Sequence, residues 1–201
     1  MLAFHYIKSK LTLTLNIISD NIKNKQNHKR KQGVKFLNNM NTFENNYSLR
    51  MMTKHEKYIL RMHEASHALM YSYYNQNNWV IRLEQSESYN AYTELQSSNV
   101  PKTSDYYHEF MIMSSISGYI IEQILGINPD SAYEDSYADI NVFKQYMNLM
   151  YDDYDGNVNA IINKATIIIL NNMKVIEYIA HKLEYNDAVS NDVIIQNSIV
   201  R

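Results

Sequence analysis

The sequence predicts a mainly α-helical fold with a small two-stranded β element. Only four glycines and two prolines occur in 201 residues, too few for the many turns of a β-rich fold. Apolar residues at helical spacing dominate after residue 50, and strand-like patterns are confined to two short segments. The absence of cysteine excludes disulfides, zinc ribbons and thiol catalysis, and it fits a reducing, cytoplasmic location.

The distribution of charge divides the chain near residue 50. Residues 1–50 carry nine Lys or Arg against two acidic residues, whereas the remainder carries ten against nineteen. We expect residues 1–50 to be a basic, disordered leader and residues 51–201 to form one folded domain. The basic run at residues 23–31 is also typical of a nucleic-acid arm, but a solvated leader is favoured, so nucleic acid is not expected as a partner. No apolar run is long enough to span a membrane.

The first helix is predicted to begin after Thr53 and to continue to about Tyr74. Thr53 and Glu56 have the spacing of a capping box, in which each side chain satisfies a backbone N–H of the other residue. The polar residues 75–78 end the helix.

The middle of this helix contains the motif His63-Glu64-Ala65-Ser66-His67, which reads H-E-x-x-H. Residues four apart lie above one another on a helix, so the two imidazoles can bind one zinc ion from the same face. Glu64 is then placed to reach a water on the metal and to accept its proton. The motif indicates a zinc-dependent hydrolase acting on peptide bonds in a polypeptide substrate.

Two strands are predicted beside the motif helix, at residues 79–83 and 91–95, and we expect them to pair antiparallel. An extended substrate is expected to pair with the first of them, near residues 80–83.

A core helix follows at residues 104–125, ended by Gly126, and residues 127–135 are expected to form a loop. A third helix is predicted from residue 135 or 136 to residue 154, ended by Gly156; a fourth is predicted at residues 158–183, and a short last helix from residue 190.

With these helices placed, the chain resembles over residues 53–195 the peptidase domain of FtsH, a membrane-anchored, ATP-dependent zinc protease. The similar segments come in the same order in both: H-E-A-G-H-A corresponds to residues 63–68, a Gly-Tyr-Thr-like turn to residues 91–93, G-G-R-x-A-E-E to residues 117–123, and an Asp-containing segment to residues 137–139. This chain has Ser66 where the family has Gly, Tyr119 for Arg and Gln123 for Glu. It lacks the phosphate-binding loop of an ATPase, because its glycines stand only at positions 33, 118, 126 and 156, and no ATP binding is expected.

The resemblance implies that Asp139 is the third zinc ligand. The residues alone leave alternatives open, because a glutamate-type site could use a downstream Glu: Glu87, Glu94, Glu109 or Glu122. A metzincin site is excluded, since Met70 and Tyr73 stand where it needs Gly and His. We interpret Glu122, on an otherwise apolar helix, as a residue that orients a histidine ligand, and His108 and His181 as structural or surface residues.

Two functions follow as hypotheses. The first is an ATP-independent zinc endopeptidase with Glu64 as its base. The alternative is a catalytically silent protein that keeps the peptidase fold and binds a protein partner. The sequence leaves open whether the chain forms a homo-oligomer.

Overall fold

The structure, a computed structural model, describes residues 52–85, 89–98, 100–152, 154–193 and 199–200. All of these residues belong to the unit formed by residues 51–201. The predicted leader, residues 1–50, lies outside the described residues, so its disorder stays a prediction.

The described residues form a mainly helical fold, as the sequence predicts, with six α-helices and one small antiparallel sheet. In chain order the elements are α1 (Lys54–Tyr73), β1 (Trp79–Gln85), β2 (Tyr89–Leu95), α2 (Asp105–Ile124), α3 (Pro129–Asp135), α4 (Tyr137–Met150), α5 (Tyr154–Asn171), α6 (Met173–Tyr185), β3 (Ala188–Ser190) and a 3-10 turn (Asn191–Val193).

Helix α2 is the core helix, as predicted from its apolar residues. Every residue from position 112 to position 123 is buried, and α2 packs against α1, α3, α4 and α5. Ser104 caps its first turn by accepting the Tyr107 N–H at 3.2 Å, and Gly126 follows its end with a φ of 86°. Because glycine adopts this left-handed conformation without strain, it is the stop that the sequence predicts.

Helices α1 and α2 run antiparallel and in register. His63 of α1 lies against Gly118 of α2, the ring of His67 bonds to the carbonyl of Ser114, and the ring of Tyr71 contacts Phe110. The contacts therefore advance by four residues along α1 while they go back by four residues along α2. The α1 capping box is also confirmed, since the Thr53 N–H donates to Glu56 at 2.6 Å and the Glu56 N–H donates to Thr53 at 3.1 Å.

The sheet has three strands in the order β2-β1-β3, so the prediction of two strands is wrong by one. The predicted antiparallel pairing of β1 with β2 is confirmed, with Ile81 opposite Thr93. The opposite side of β1 pairs with β3, where Ile81 faces Val189. Strand β3 is three residues long and carries no alternating pattern that could reveal it.

The predicted loop at residues 127–135 instead contains helix α3. Asn128 accepts the Asp130 N–H at 2.9 Å and so caps this helix. Pro129 stands at its first position, where the missing N–H costs nothing and the fixed φ suits a helix. The proline that suggested a loop is therefore a helix start.

The predicted helix at residues 158–183 is two helices, α5 and α6, which are separated at Asn172. The Asn172 amide donates to the carbonyls of Ile168 and Val200, both at 2.9 Å, and accepts the Val200 N–H at 2.7 Å. These bonds stabilise the break.

Gly156 lies inside α5 and does not end the preceding helix, since α4 stops at Met150. Only a 3-10 turn follows residue 190, and residues 194–198 are outside the description.

Candidate metal centre

Helix α1 places His63 and His67 side by side on the face that meets α2. Both residues are buried, with 6% and 7% of their surface exposed, and their ring centroids are 4.9 Å apart. The two histidines therefore lie on one face of α1, as the motif predicts, and this face is buried where α1 packs against α2.

A hydrogen bond to one nitrogen of each ring fixes where the other nitrogen points. Nδ1 of His67 donates to the carbonyl oxygen of Ser114 at 2.8 Å. Nδ1 of His63 lies 2.6 Å from Oε1 of Glu122, a buried carboxyl group. Partners of this kind set the tautomer and orientation of a metal-binding histidine, so Nε2 is the nitrogen of each ring that could bind a metal.

Asp139, in the first turn of α4, brings a carboxylate oxygen to these two nitrogens. Its Oδ2 lies 3.3 Å from Nε2 of His63 and 3.4 Å from Nε2 of His67. One ligand atom of each residue falls within 4.8 Å of the others, so that His63, His67 and Asp139 form a group able to hold a metal ion. Within the described ranges this is the one group of at least three such residues.

The close approach of α1 to α2 depends on Gly118. A Cβ atom added there would overlap Cε1 and Nε2 of the His63 ring and lie 2.8 Å from its Cδ2. Because the atoms affected belong to a ring fixed by Glu122 and the surrounding helices, no cheap movement relieves the overlap.

We expect Gly118→Ala to weaken metal binding by about 100-fold or more, because the His63 ring must leave its position. Losing a residue that orients a ligand lowers metal affinity by about 10- to 100-fold. Displacing the ligand itself should lower it at least as much. Gly126→Ala is the matched control: it strains the backbone but has nothing within 4 Å of the added atom, so it should lower stability and leave metal affinity unchanged. Equal metal affinity in the Gly118 variant and the parent, by competition with a chromogenic chelator, would contradict this account.

Hydroxyl groups link the two helices behind the histidines. Ser66 donates to the carbonyl of His63 at 2.7 Å, and its oxygen lies 3.3 Å from that of Ser117. Ser117 in turn donates to the Ser114 carbonyl at 2.7 Å. Ser66, which stands where the resembled motif has Gly, is therefore hydrogen-bonded to α2. This is the helix whose Ser114 carbonyl and Glu122 carboxyl group contact the two histidine rings.

The charges of the site shift the pKa values of all three residues. Burial alone would lower the pKa of His63, but its hydrogen bonds to Asp139 and Glu122 outweigh burial and hold the pKa well above its usual value. Burial also opposes protonation of His67, whose pKa the Asp139 charge nevertheless raises. Burial would raise the pKa of Asp139, yet the two histidines hold it far below the usual range. Without a metal, these shifts in pKa favour an ion pair between protonated imidazole and the Asp139 carboxylate.

This ion pair predicts how the stability of the metal-free protein depends on pH. A raised histidine pKa contributes stability that is fully present below the ordinary value of 6.5 and is lost as the pH rises through the folded-state pKa. The lowered pKa of Asp139 contributes stability that is fully present above the ordinary value of 3.8 and is lost as the pH falls below it. We therefore expect the Tm of chelator-treated protein to fall as the pH rises above 6.5.

Thermal unfolding in a chelator across a pH series tests this expectation. Added metal should reverse the trend, because it binds the neutral imidazoles and displaces their protons. Asp139→Asn should flatten the dependence in the metal-free protein. A parent Tm that rises steadily from neutral to alkaline pH would show that the histidines are not held protonated.

Glu64 lies on α1 between the two histidines and faces strand β2. It is 6% exposed, and its Oε2 accepts a hydrogen bond of 2.6 Å from the Thr93 hydroxyl. The Glu64 carboxylate also helps to raise the pKa of both histidines. It is therefore close to the metal-binding group without being part of it.

The remaining candidates that the structure describes lie apart from the site. Glu94 is exposed on β2, and Glu109 bonds to the Tyr74 hydroxyl and to Lys164. His108 contacts the Tyr146 ring, and His181 is exposed beside Glu184. Glu87 lies outside the described residues.

Comparison of the chain with protein-family models, with curated proteins and with solved structures found no match in any of the three. Within the described part of the chain, no helix combines the length and apolar character needed to cross a membrane.

Proposed function

We propose that this chain is an ATP-independent zinc endopeptidase, similar to the FtsH peptidase domain that its motifs resemble. The observation that carries the proposal is the convergence of His63, His67 and Asp139 on one point beside Glu64. Two imidazoles and one carboxylate, with a second carboxylate next to them, are the residues that a zinc hydrolase needs.

The types of donor atom support zinc as the metal. Two imidazole nitrogens and one carboxylate oxygen, all within 4.8 Å of one another, are ligands of the kinds that zinc binds in sites with three protein ligands. Mg²⁺ and Ca²⁺ favour sites built from oxygen atoms, so a site with two imidazoles argues against them.

Bound zinc would polarise the carbonyl of the scissile peptide and lower the pKa of a coordinated water to about 7. Glu64 is the proposed general base: it accepts the proton of the attacking water and then delivers it to the departing amine. Its burial excludes bulk water, which would otherwise compete for the same carboxylate oxygens.

The sheet suggests where a polypeptide substrate would lie, and it corrects the expectation from sequence. Residues 80–82 of β1 pair with β2 on one side and β3 on the other, so they have no free edge. Among the described strands, β2 and β3 each have one side that pairs with no other strand. Of these two edge strands, β2 contacts Glu64 through Thr93, so an extended substrate would pair with β2, and its main-chain hydrogen bonds would accept many sequences.

Metal analysis and a cleavage assay test the function together. The purified chain should contain about one zinc per molecule, or bind one after loading, and should cleave an unfolded casein-like substrate without ATP. A chelator should abolish cleavage, and added zinc should restore it. Stoichiometric zinc with no cleavage would favour the alternative, a silent protein that binds a partner, whereas absence of metal binding would overturn the site itself.

A further inference from the structure

An apolar row of side chains crosses the sheet and ends in a hydroxyl group. Val189, Ile81 and Thr93 occupy matching positions on β3, β1 and β2, so their side chains point to the same face of the sheet. Val189 and Ile81 are buried, and β1 and β2 both pack on α1. A valine at position 93 would continue the row, but the chain has a threonine there.

The Thr93 hydroxyl faces the backbone and the side chain of Glu64. Its oxygen lies 2.6 Å from Oε2 and 3.0 Å from the carbonyl oxygen of Glu64. The hydroxyl has one hydrogen, and the shorter, charge-assisted bond to the carboxylate is the stronger of the two. Among the hydrogen bonds of the described residues, this is the one that the Glu64 carboxylate makes.

We propose that Thr93 is a positioning residue, which holds the Glu64 carboxylate by Oε2 and leaves Oε1 to exchange the proton. The inference rests on the proposed function, since it assigns Glu64 the role of base. Thr93 belongs to β2, the edge strand proposed to pair with the substrate, so the same strand would align the substrate and orient the base. A single strand, β2, would then fix the positions of both the substrate and the Glu64 carboxylate for attack on the peptide bond.

Two substitutions separate the hydroxyl from the shape of the side chain. Thr93→Val keeps the branched shape and the preference for a strand but removes the donor, whereas Thr93→Ser keeps the donor. Thr166→Val is the matched control, because it removes a buried hydroxyl that bonds only to the Ile162 carbonyl within α5.

We expect Thr93→Val to lower kcat by about 10- to 100-fold, which corresponds to loss of one hydrogen bond to a charged group. KM should change by less than about 3-fold, because the hydroxyl does not face the free edge of β2. Thr93→Ser should recover most of kcat, and Thr166→Val should not alter it. Zinc content should be equal in all variants.

A second measurement does not depend on activity. In chelator-treated protein, the Tm losses of Thr93→Val and Glu64→Ala should be less than additive in the double variant, because both remove the same bond. Additive losses, or equal kcat in the Val variant and an active parent, would overturn the role of Thr93 alone. A parent that binds zinc but hydrolyses nothing would instead overturn the proposed function, and the catalytic role of Thr93 with it.

Discussion

Replacing Glu64 by glutamine is expected to leave zinc bound and to reduce peptide hydrolysis by about 10²- to 10⁴-fold, the usual contribution of a general base. Glutamine has nearly the same shape, and its amide oxygen can still accept the hydrogen bond from Thr93. It cannot accept the proton of the attacking water. The loss should therefore fall on kcat, while metal content and Tm stay close to those of the parent.

Zinc content and the steady-state kinetics of one unfolded substrate measure both parts of this expectation. Glu177→Gln is a matched control, because Glu177 is an exposed carboxylate on α6 and should tolerate the change. Unchanged hydrolysis in the Glu64 variant would show that another group supplies the base. Loss of zinc together with activity would show that Glu64 helps to hold the metal.

The second large effect concerns the third ligand. Asp139→Ala should release zinc under mild chelation, because two imidazoles alone leave a weak two-point site. Glu122→Ala should retain zinc with an affinity lower by about 10- to 100-fold, the usual cost of losing a residue that orients a ligand. The difference follows from the contacts, since Asp139 approaches Nε2 of both histidines and Glu122 approaches only Nδ1 of one.

A zinc titration against a competing chelator ranks the two variants. Asp130→Ala is a useful control, because Asp130 is also an acidic residue in the first turn of a helix and loses a similar interaction with the helix dipole. Its zinc affinity should match that of the parent. The reverse ranking, with zinc lost from the Glu122 variant and kept by the Asp139 variant, would make Glu122 the ligand.

The parts of the fold that the sequence predicts well are those with a strong local pattern. The capping box at Thr53, the apolar helix α2 and its glycine stop each depend on residues within a few positions of one another. Strand β3 and the break at Asn172 have no such local pattern. Strand β3 depends on pairing with β1, which is distant in the sequence, and the break depends on a hydrogen bond between Asn172 and Val200. Helix α3 is not predicted from the sequence, because a proline is compatible both with a loop and with the first position of a helix.

The candidate site divides in the same way. His63, Glu64 and His67 can be identified from their spacing alone, whereas the sequence does not distinguish Asp139 from an ordinary acidic residue in a first turn. Packing of α2 against α1 and α4 brings that carboxylate to the histidines. The importance of Gly118 had a visible signal, a glycine within an otherwise apolar core helix, but only the structure shows which side chain fills the space.

The central position of β1 has a consequence for the order in which the protein can assemble. This strand follows directly after the motif helix, yet one of its two neighbours is β3, which is synthesised after all six described helices. Contacts between distant parts of a chain form late, because closing long loops costs entropy. Strand β1 is therefore paired on both sides only after residue 190 has been made, so in a partly synthesised chain β2, which carries Thr93, would be paired with an incompletely supported strand. Such an order would delay the proposed activity until β3 has been synthesised.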